Sequence, residues 1–113
     1  MLSNEGINNL NLLKYWALKT WEENVIFIKE TGTQIPVDAF TIEMRVYKKF
    51  KVLIEYEVST FAFKLWTGNK YEYIDRFTNN KIIYGFDSMK TENIQNNFKI
   101  LDVILKKLLK QKI

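Results

Sequence analysis

Residues 40–66 read FTIEMRVYKKFKVLIEYEVSTFAFKLW, and along this stretch apolar and polar side chains alternate one by one. A period of two is typical of a β-strand that buries one face and leaves the other solvated. The alternation is interrupted at Lys48-Lys49 and at Ser59-Thr60, so it predicts three strands joined by short turns. Strands joined in this way are antiparallel. The third strand is expected to bury its alternate residues, Phe61, Phe63 and Leu65.

Two further strands are predicted after this stretch. Thr67-Gly68-Asn69 is typical of a hairpin turn, because Gly and Asn tolerate the positive φ angles that tight turns demand. A fourth strand is expected at residues 71–74, in a register that leaves open whether Tyr71 faces the core. Thr78-Asn79-Asn80 then predicts a turn into a short fifth strand over residues 81–86.

Helices are predicted at both ends of the chain. The first is capped by Ser3 or Asn4 and extends to about Lys29, with Gly32 as a left-handed stop. Its apolar residues recur every three or four positions and line one face: Leu10, Leu13, Ala17, Trp21, Val25 and Ile28. The second helix begins near Thr91, which is expected to cap it. Its apolar face comprises Ile94, Phe98, Leu101, Leu105 and Leu108.

The order of these elements predicts a single α+β domain over residues 1–113. We expect an antiparallel sheet of four to five strands, with the N-terminal and the C-terminal helix packed on one face. A chain of 113 residues buries about two thirds of its unfolded surface. Because each strand has one apolar row, the other face of the sheet is left for solvent or for a partner.

The sequence contains no histidine and no cysteine, the residue types that do most nucleophilic, general-base and transition-metal chemistry. Carboxylates remain, and Glu55 and Glu57 share a strand face about 7 Å apart. Nuclease folds place acids such as these and Asp38 beside a Lys, but Glu57 stands where that Lys would be. Alternating Glu and Lys on a solvated sheet face is the simpler interpretation. We therefore expect no enzymatic activity, no cofactor and no metal site.

The charge balance does not indicate a nucleic-acid partner. Seventeen Lys and Arg against 13 Asp and Glu give a net charge of +4, but only Arg45 and Arg76 are Arg. Phosphate and base recognition draw heavily on Arg forks, whereas Lys is a hydrated point charge. No apolar run approaches the roughly 18 residues of a membrane span. No secretory signal is visible at the N-terminus, so we expect a cytoplasmic protein with no membrane partner.

An apolar cluster is expected on the uncovered face of the sheet. Trp66 is out of phase with the buried row of its strand, so it should share this face with Lys64 and with Leu53 and Tyr47 on nearby strands. Such clusters mark interaction surfaces. The alternative is that loops or a helix end cover Trp66. The predicted partner-binding residues are Lys64, Trp66, Gly68, Tyr71 and Asp75.

Three segments of the chain are similar to a known protein family. They are Trp21-Glu22-Glu23-Asn24 followed by Gly32, Leu65-Trp66-Thr67-Gly68 followed by residues 71–75, and Thr91-Glu92-Asn93-Ile94. The first resembles the end of the family's first helix, the second its strand–turn–strand, and the third the start of its closing helix. The family is TriTu, small immunity proteins of bacterial polymorphic toxin systems, and the resemblance covers most of the chain.

The resemblance implies a non-enzymatic protein that binds and neutralises a cognate bacterial toxin. Immunity proteins against nucleases are commonly acidic, so a net charge of +4 argues against that mode unless acids gather locally. The candidates for such a patch are Glu43, Glu55, Glu57 and Glu72. Two other classes stay open. One is a phage or mobile-element accessory protein that binds a host protein, and the other is a structural domain whose sheet forms a homodimer.

Overall fold

A computed structural model describes residues 2–111 of the chain. Within these residues, five strands form one antiparallel sheet in which neighbours along the chain are also neighbours in the sheet. The helices and strands are α1 Asn4–Trp21, β1 Val25–Thr33, β2 Ala39–Val46, β3 Phe50–Glu57, β4 Thr60–Trp66, β5 Tyr71–Tyr73 and α2 Thr91–Lys110. Short 3₁₀ helices lie at Glu22–Asn24, Ile74–Phe77 and Gly85–Met89. The predicted α+β class is confirmed.

The central strands form where the sequence alternates. Buried rows on β2, β3 and β4 lie side by side, with Ile54 opposite Ile42 on one side and Phe63 on the other. Val58 and Ser59 connect β3 to β4 with φ angles of 45° and 62°. Two successive positive φ angles give a tight hairpin whose twist matches that of its strands.

An apolar core lies between the sheet and the two helices. Phe98 of α2 is a centre of aromatic contact, since its ring centre lies 4.8 Å from that of Phe63 and 5.6 Å from that of Trp21. All three rings are almost fully buried. The prediction that Phe61, Phe63 and Leu65 face the core is confirmed, as is the packing of both helices on one face of the sheet.

The prediction that the first helix extends to Lys29 is wrong. Helix α1 ends at Trp21, and Glu22, with a φ angle of 51°, turns the chain out of the helix. The following segment, residues 25–33, is strand β1. Its first four residues are β-branched or aromatic, which favours a strand. The backbone groups of this segment are satisfied by pairing with β2 instead of within a helix.

Strand β1 is an edge strand with an irregular register. Its pairing with β2 shifts between Phe27 and Lys29, which marks a β-bulge at Ile28. Beyond the bulge Gly32 lies opposite Phe40, within the strand. The prediction that Gly32 stops a helix is therefore wrong as well.

The predicted fifth strand at residues 81–86 is also wrong. Residues 81–84 are irregular, and a 3₁₀ helix follows them. The side chain of Asn97 in α2 binds both backbone groups of Ile83. The N–H of Ile83 donates to Oδ1 at 3.2 Å, and Nδ2 donates to the carbonyl oxygen of Ile83 at 3.0 Å. A helix side chain thus occupies the backbone groups that a strand would offer to a neighbour.

The two helix starts differ in how they are capped. Ser3 caps α1, because the N–H of Gly6 donates to its hydroxyl oxygen at 3.2 Å. Thr91 does not cap α2 as predicted, since it is the first helical residue and Lys90 precedes it without a side-chain cap bond. Among residues 2–111, neither helix combines the length and apolar character that a bilayer span requires.

Candidate partner-binding face

The face of the sheet opposite the helices, called the open face below, carries four rows of paired residues. From the β3–β4 hairpin to the other end of the sheet, the rows are Thr33–Ala39–Glu57–Thr60, Thr31–Thr41–Glu55–Ala62, Lys29–Glu43–Leu53–Lys64–Tyr73, and Ile26–Arg45–Lys51 with Trp66–Tyr71. Directly paired residues point to the same face of a sheet. The first two rows have small and acidic side chains, and the last two have most of the basic and large ones.

Trp66 is the largest side chain of the open face. It remains 37% exposed, whereas Trp21 in the core is 2% exposed. The ring of Tyr71 meets it edge-on at 5.1 Å between centres, and the ammonium group of Lys51 lies 5.0 Å from its ring centre. Trp66 is therefore supported by two neighbouring side chains and is still accessible. The alternative, that loops or a helix end cover Trp66, does not hold in the structure.

Tyr71 belongs to the open face and not to the core. Its strand pairs it with Trp66, which settles the register that the sequence left open. The Tyr71 hydroxyl is buried and has no hydrogen-bond partner among the described residues. Burial, and then the negative charge of Glu43, raise the pKa of this phenol.

Lys64 lies between an acid and an aromatic ring. Its ammonium group is 3.1 Å from a carboxylate oxygen of Glu55 and 4.7 Å from the ring centre of Tyr73. Ion pairing and a cation–π contact together hold the side chain across the third row. Lys64 therefore separates the acidic rows from the Trp66 end.

Gly68 contributes a turn and not a side chain. Its φ angle of 108° lies in the region that L side chains rarely adopt. The turn is closed by a 2.9 Å hydrogen bond from the N–H of Thr67 to the carbonyl oxygen of Lys70. Gly68 thus brings β5 back beside β4 and places Tyr71 against Trp66.

Asp75 and Tyr84 form a wall at the β5 edge of the open face. The hydroxyl of Tyr84 donates to the carboxylate of Asp75 at 3.1 Å. The rings of Tyr84 and Tyr73 meet edge to face at 6.3 Å. Burial is the main cause that raises the pKa of Tyr84 to about 12, followed by the charge and hydrogen bond of Asp75.

A concave site of about 780 Å³ lies between this wall and the first two rows. We call it the hollow. It exists because its floor carries small side chains while taller side chains stand on its borders. The side chains that define it are Ala39, Thr41, Ala62, Glu55, Glu57, and the wall residues Tyr73, Asp75 and Tyr84. A site of this size falls within the range of about 300–1,000 Å³ that ligand sites typically occupy.

The sequence-predicted residues fall into two groups. Lys64, Trp66 and Tyr71 meet on the open face, and Leu53 joins them as predicted, directly opposite Lys64. Asp75 lies apart from them, at the wall of the hollow. Tyr47 does not lie on the open face, and that prediction is wrong.

Two features explain the position of Tyr47. Its φ angle of 54° places it in the β2–β3 turn, where strand parity no longer decides its direction. Its hydroxyl donates to Asp102 of α2 at 2.6 Å, on the helix side of the sheet.

The sequence does not predict the hollow as a concave site, although it includes Asp75 among the partner-binding residues and Glu55 and Glu57 among the candidates for an acidic patch. It misses the wall residue Tyr84, because it predicts a strand over residues 81–86 that does not form. The signal for the hollow in the sequence is the pair Thr41 and Ala62. Both alternate with the buried residues of their strands and therefore lie on the open face, where small side chains leave room above the sheet.

The side chain of Asp38 is bonded to the start of α1 and not to the acids of the open face. That residue accepts hydrogen bonds from the backbone and side chain of Ser3, and its pKa is lowered by them. Within residues 2–111, no group of three or more His, Cys, Asp or Glu side chains is arranged to hold a metal ion. The arrangement offers carboxylates, hydroxyls and aromatic rings for binding.

Comparisons with models of known protein families, with curated proteins and with solved structures find no match to this chain.

Proposed function

We propose that this protein is a non-enzymatic immunity protein that binds and neutralises a cognate bacterial toxin through the open face of its sheet. The observation that carries the proposal is a sheet with both helices on one face and a supported, accessible Trp66 beside a concave site on the other. Trp and Tyr dominate interface energetics, because they offer a large and stiff area at low conformational cost.

The charges of the open face support a protein partner. Lys51 lies 4.0 Å from Glu43, and Lys64 is paired with Glu55, so both signs alternate over a short distance. A mixed pattern of this kind fits a protein surface of complementary pattern better than a uniformly charged polymer. The Lys64 ion pair would contribute orientation and association rate more than affinity.

The position of the TriTu-like segments supports the same proposal. Leu65-Trp66-Thr67-Gly68 ends β4 and begins the turn that brings Tyr71 against Trp66. The Trp21–Asn24 segment ends α1 and leads into β1. An immunity protein of this class would act in the cytoplasm on a toxin encoded beside its own gene.

The experiment is co-expression with the candidate toxin encoded next to this gene. We expect the full chain to restore growth and to form a complex that survives size-exclusion chromatography. Trp66→Ala should weaken the complex by at least about 2 kcal/mol and leave the melting temperature nearly unchanged. Tyr15→Ala is the matched control, since this ring is 51% exposed on α1, in the helical layer. A toxin bound equally well by both variants would contradict the proposed face.

A homodimer is the second candidate, because β1 is an edge strand with Ile26 59% exposed and Ile28 45% exposed. The bulge at Ile28 opposes it, since bulges disrupt the regular ladder that a second edge would extend. Sedimentation velocity over a range of concentrations decides between the two. We expect a monomer, and a concentration-dependent dimer lost in Ile26→Lys would favour the structural-domain class.

A further inference from the structure

The hollow is acidic, although the molecule as a whole has a positive net charge. The chain has a net charge of +4, but the lining of the hollow includes three carboxylates and, among residues 2–111, no Lys or Arg. The three acids are Glu55, Glu57 and Asp75. Lys64, beside the hollow, is held by Glu55 and by the ring of Tyr73. The basic residues of the open face thus end where the hollow begins.

The carboxylates of the hollow differ in how far they are neutralised. Glu55 forms an ion pair with Lys64, and Asp75 accepts a hydrogen bond from the hydroxyl of Tyr84. Glu57 is exposed and takes part in no ion pair within the described part of the chain. It lies on the same strand face as Glu55, about 7 Å along β3. The hollow therefore carries uncompensated negative charge at its hairpin end.

Two aromatic residues, Tyr73 and Tyr84, line the hollow together with these carboxylates. Tyr73 and Tyr84 stand edge to face at 6.3 Å, with Asp75 bonded to the hydroxyl of Tyr84. Aromatic faces attract cations, and planar guanidinium groups also stack on them. Carboxylates that line the same site add hydrogen-bond acceptors and Coulomb attraction. The carboxylates and rings of the hollow together have the chemistry that binds a cationic side chain.

We propose that the hollow receives a basic segment of the partner protein, with an arginine or lysine side chain inserted between Glu57 and the Tyr73–Tyr84 wall. This rests on the proposed function and specifies the partner's chemistry. A volume of about 780 Å³ accommodates an inserted long side chain with its flanking backbone. Trp66 and Tyr71, at the other end of the open face, contact an apolar part of the same partner.

The test is a nuclear magnetic resonance titration of the nitrogen-15-labelled full chain with the capped peptide acetyl-Gly-Thr-Arg-Val-Arg-Thr-Gly-amide. The same peptide with Glu in place of both Arg is the second probe. We expect the Arg peptide to shift the backbone amides of Ala39, Ala62 and Gly85, with a Kd on the order of 1 mM. The Glu peptide should leave these signals unchanged, because like charges repel at the hollow.

Two double variants distinguish binding of the peptide at the hollow from a general attraction by negative charges elsewhere on the protein. Glu57→Gln with Asp75→Asn should weaken binding of the Arg peptide roughly tenfold or more. Glu23→Gln with Glu92→Gln changes the net charge equally, at two exposed acids outside the hollow, and should change the Kd by less than about twofold. Melting temperatures check that both variants are folded.

Three results would overturn the inference: no shift with the Arg peptide, equal binding of the Glu peptide, or equal loss in both double variants. None of them touches the proposed function, which is judged by toxin binding and by Trp66→Ala. Conversely, a hollow that binds the Arg peptide in a chain that neutralises no toxin would keep the cation site and remove the immunity role.

Discussion

The hydroxyl of Tyr47 donates a 2.6 Å hydrogen bond to the carboxylate of Asp102. The same carboxylate oxygen accepts the indole N–H of Trp21 at 2.9 Å, and the other oxygen lies 3.1 Å from the ammonium group of Lys106. One acid on α2 thus joins the end of α1 and the β2–β3 turn. Burial, and then the hydrogen bond from Tyr47, raise the pKa of this phenol, which therefore stays a donor at neutral pH.

Asp102→Ala should lower the free energy of unfolding by about 2–4 kcal/mol, because it removes charge-assisted bonds and leaves the Trp21 and Tyr47 donors without an acceptor. Chemical denaturation monitored by circular dichroism measures the loss. Asp87→Ala is the control, since its side chain is 67% exposed and paired only with Lys90 among the described residues. A loss equal to that of the control would mean that Asp102 does not join the elements.

Phe63→Ala should be among the most destabilising single changes in the sheet. The ring is 1% exposed and meets Phe98 edge-on at 4.8 Å. Removing it leaves a cavity between sheet and helix, and we expect a loss of about 3–5 kcal/mol in the free energy of unfolding. The same denaturation experiment on Phe86→Ala, whose ring is 76% exposed, should find a loss below about 1 kcal/mol. Similar losses in the two variants would contradict the assignment of Phe63 to the core.

The central sheet could be predicted from the sequence because successive side chains of a strand point to opposite faces, and this alternation alone decides which residues are buried. A strand with Phe61 and Phe63 on one face has Ala62 and Lys64 on the other, whatever the rest of the chain does. Strand β1 could not be predicted in the same way. Val25 and Ile28 fit the helical period as well as the strand, and pairing with β2 decides between them.

Within the candidate site, strand alternation predicts the residues that lie on the sheet, whereas Asp75 lies in a 3₁₀ helix and is indicated by the family resemblance. Lys64 and Trp66 follow from strand parity. The hollow needs the wall residue Tyr84, which is not in a strand and whose neighbour Ile83 is held by Asn97, 14 residues further along the chain. The period of the sequence around Ile83 gives no signal for this contact. The side-chain amide of Asn97 forms the hydrogen bonds that a neighbouring strand would otherwise form with Ile83.

Asn97→Ala should therefore destabilise the fold and open the hollow. It removes the acceptor and the donor that satisfy the backbone of Ile83, and Asn97 itself is 2% exposed. We expect a loss of about 2–4 kcal/mol in the free energy of unfolding. Amide hydrogen exchange should also be faster at residues 82–84.

Asn96→Ala is the matched control for this change, because Asn96 is the exposed neighbour on the same helix. It should leave both the free energy of unfolding and the exchange rates nearly unchanged. Unchanged exchange at residues 82–84 in Asn97→Ala would mean that the helix amide does not hold the segment.

Asp38 should make the stability of the fold fall at acid pH. Hydrogen bonds from the Ser3 side chain, the Ser3 backbone and the Gly6 backbone favour the charged form and lower the pKa from its ordinary value of 3.8. A lowered pKa stabilises the fold above pH 3.8, and this contribution is lost as the pH falls through the pKa of the folded state.

The free energy of unfolding measured from neutral to acid pH checks this prediction. Asp38→Asn should be less stable than the natural chain at neutral pH, and the difference should shrink below pH 3.8. Asp87→Asn, an exposed acid on the surface, serves as the control. A difference that is constant over the whole range would contradict the linkage.

Tyr84 reports the electrostatics of the hollow through its own titration. Burial, followed by the charge and hydrogen bond of Asp75, raises its pKa from 10.0 to about 12. A raised pKa means that the neutral phenol stabilises the fold below pH 10.0, and that this contribution is lost as the pH rises through about 12. Asp75→Asn removes the negative charge and should lower the pKa of Tyr84, which stays above 10.0 because the burial remains.

The ultraviolet absorbance of tyrosinate measures this pKa, with Tyr84→Phe subtracted to isolate one phenol from the six in the chain. Asp87→Asn is the charge-matched control and should leave the pKa of Tyr84 unchanged, because the Asp87 carboxylate pairs with Lys90 and the groups that act on Tyr84 are Asp75 and Tyr73. Equal shifts in Asp75→Asn and Asp87→Asn would mean that a diffuse field acts on Tyr84. A shift confined to Asp75→Asn places that carboxylate against the phenol, in the wall where the cationic side chain is proposed to insert.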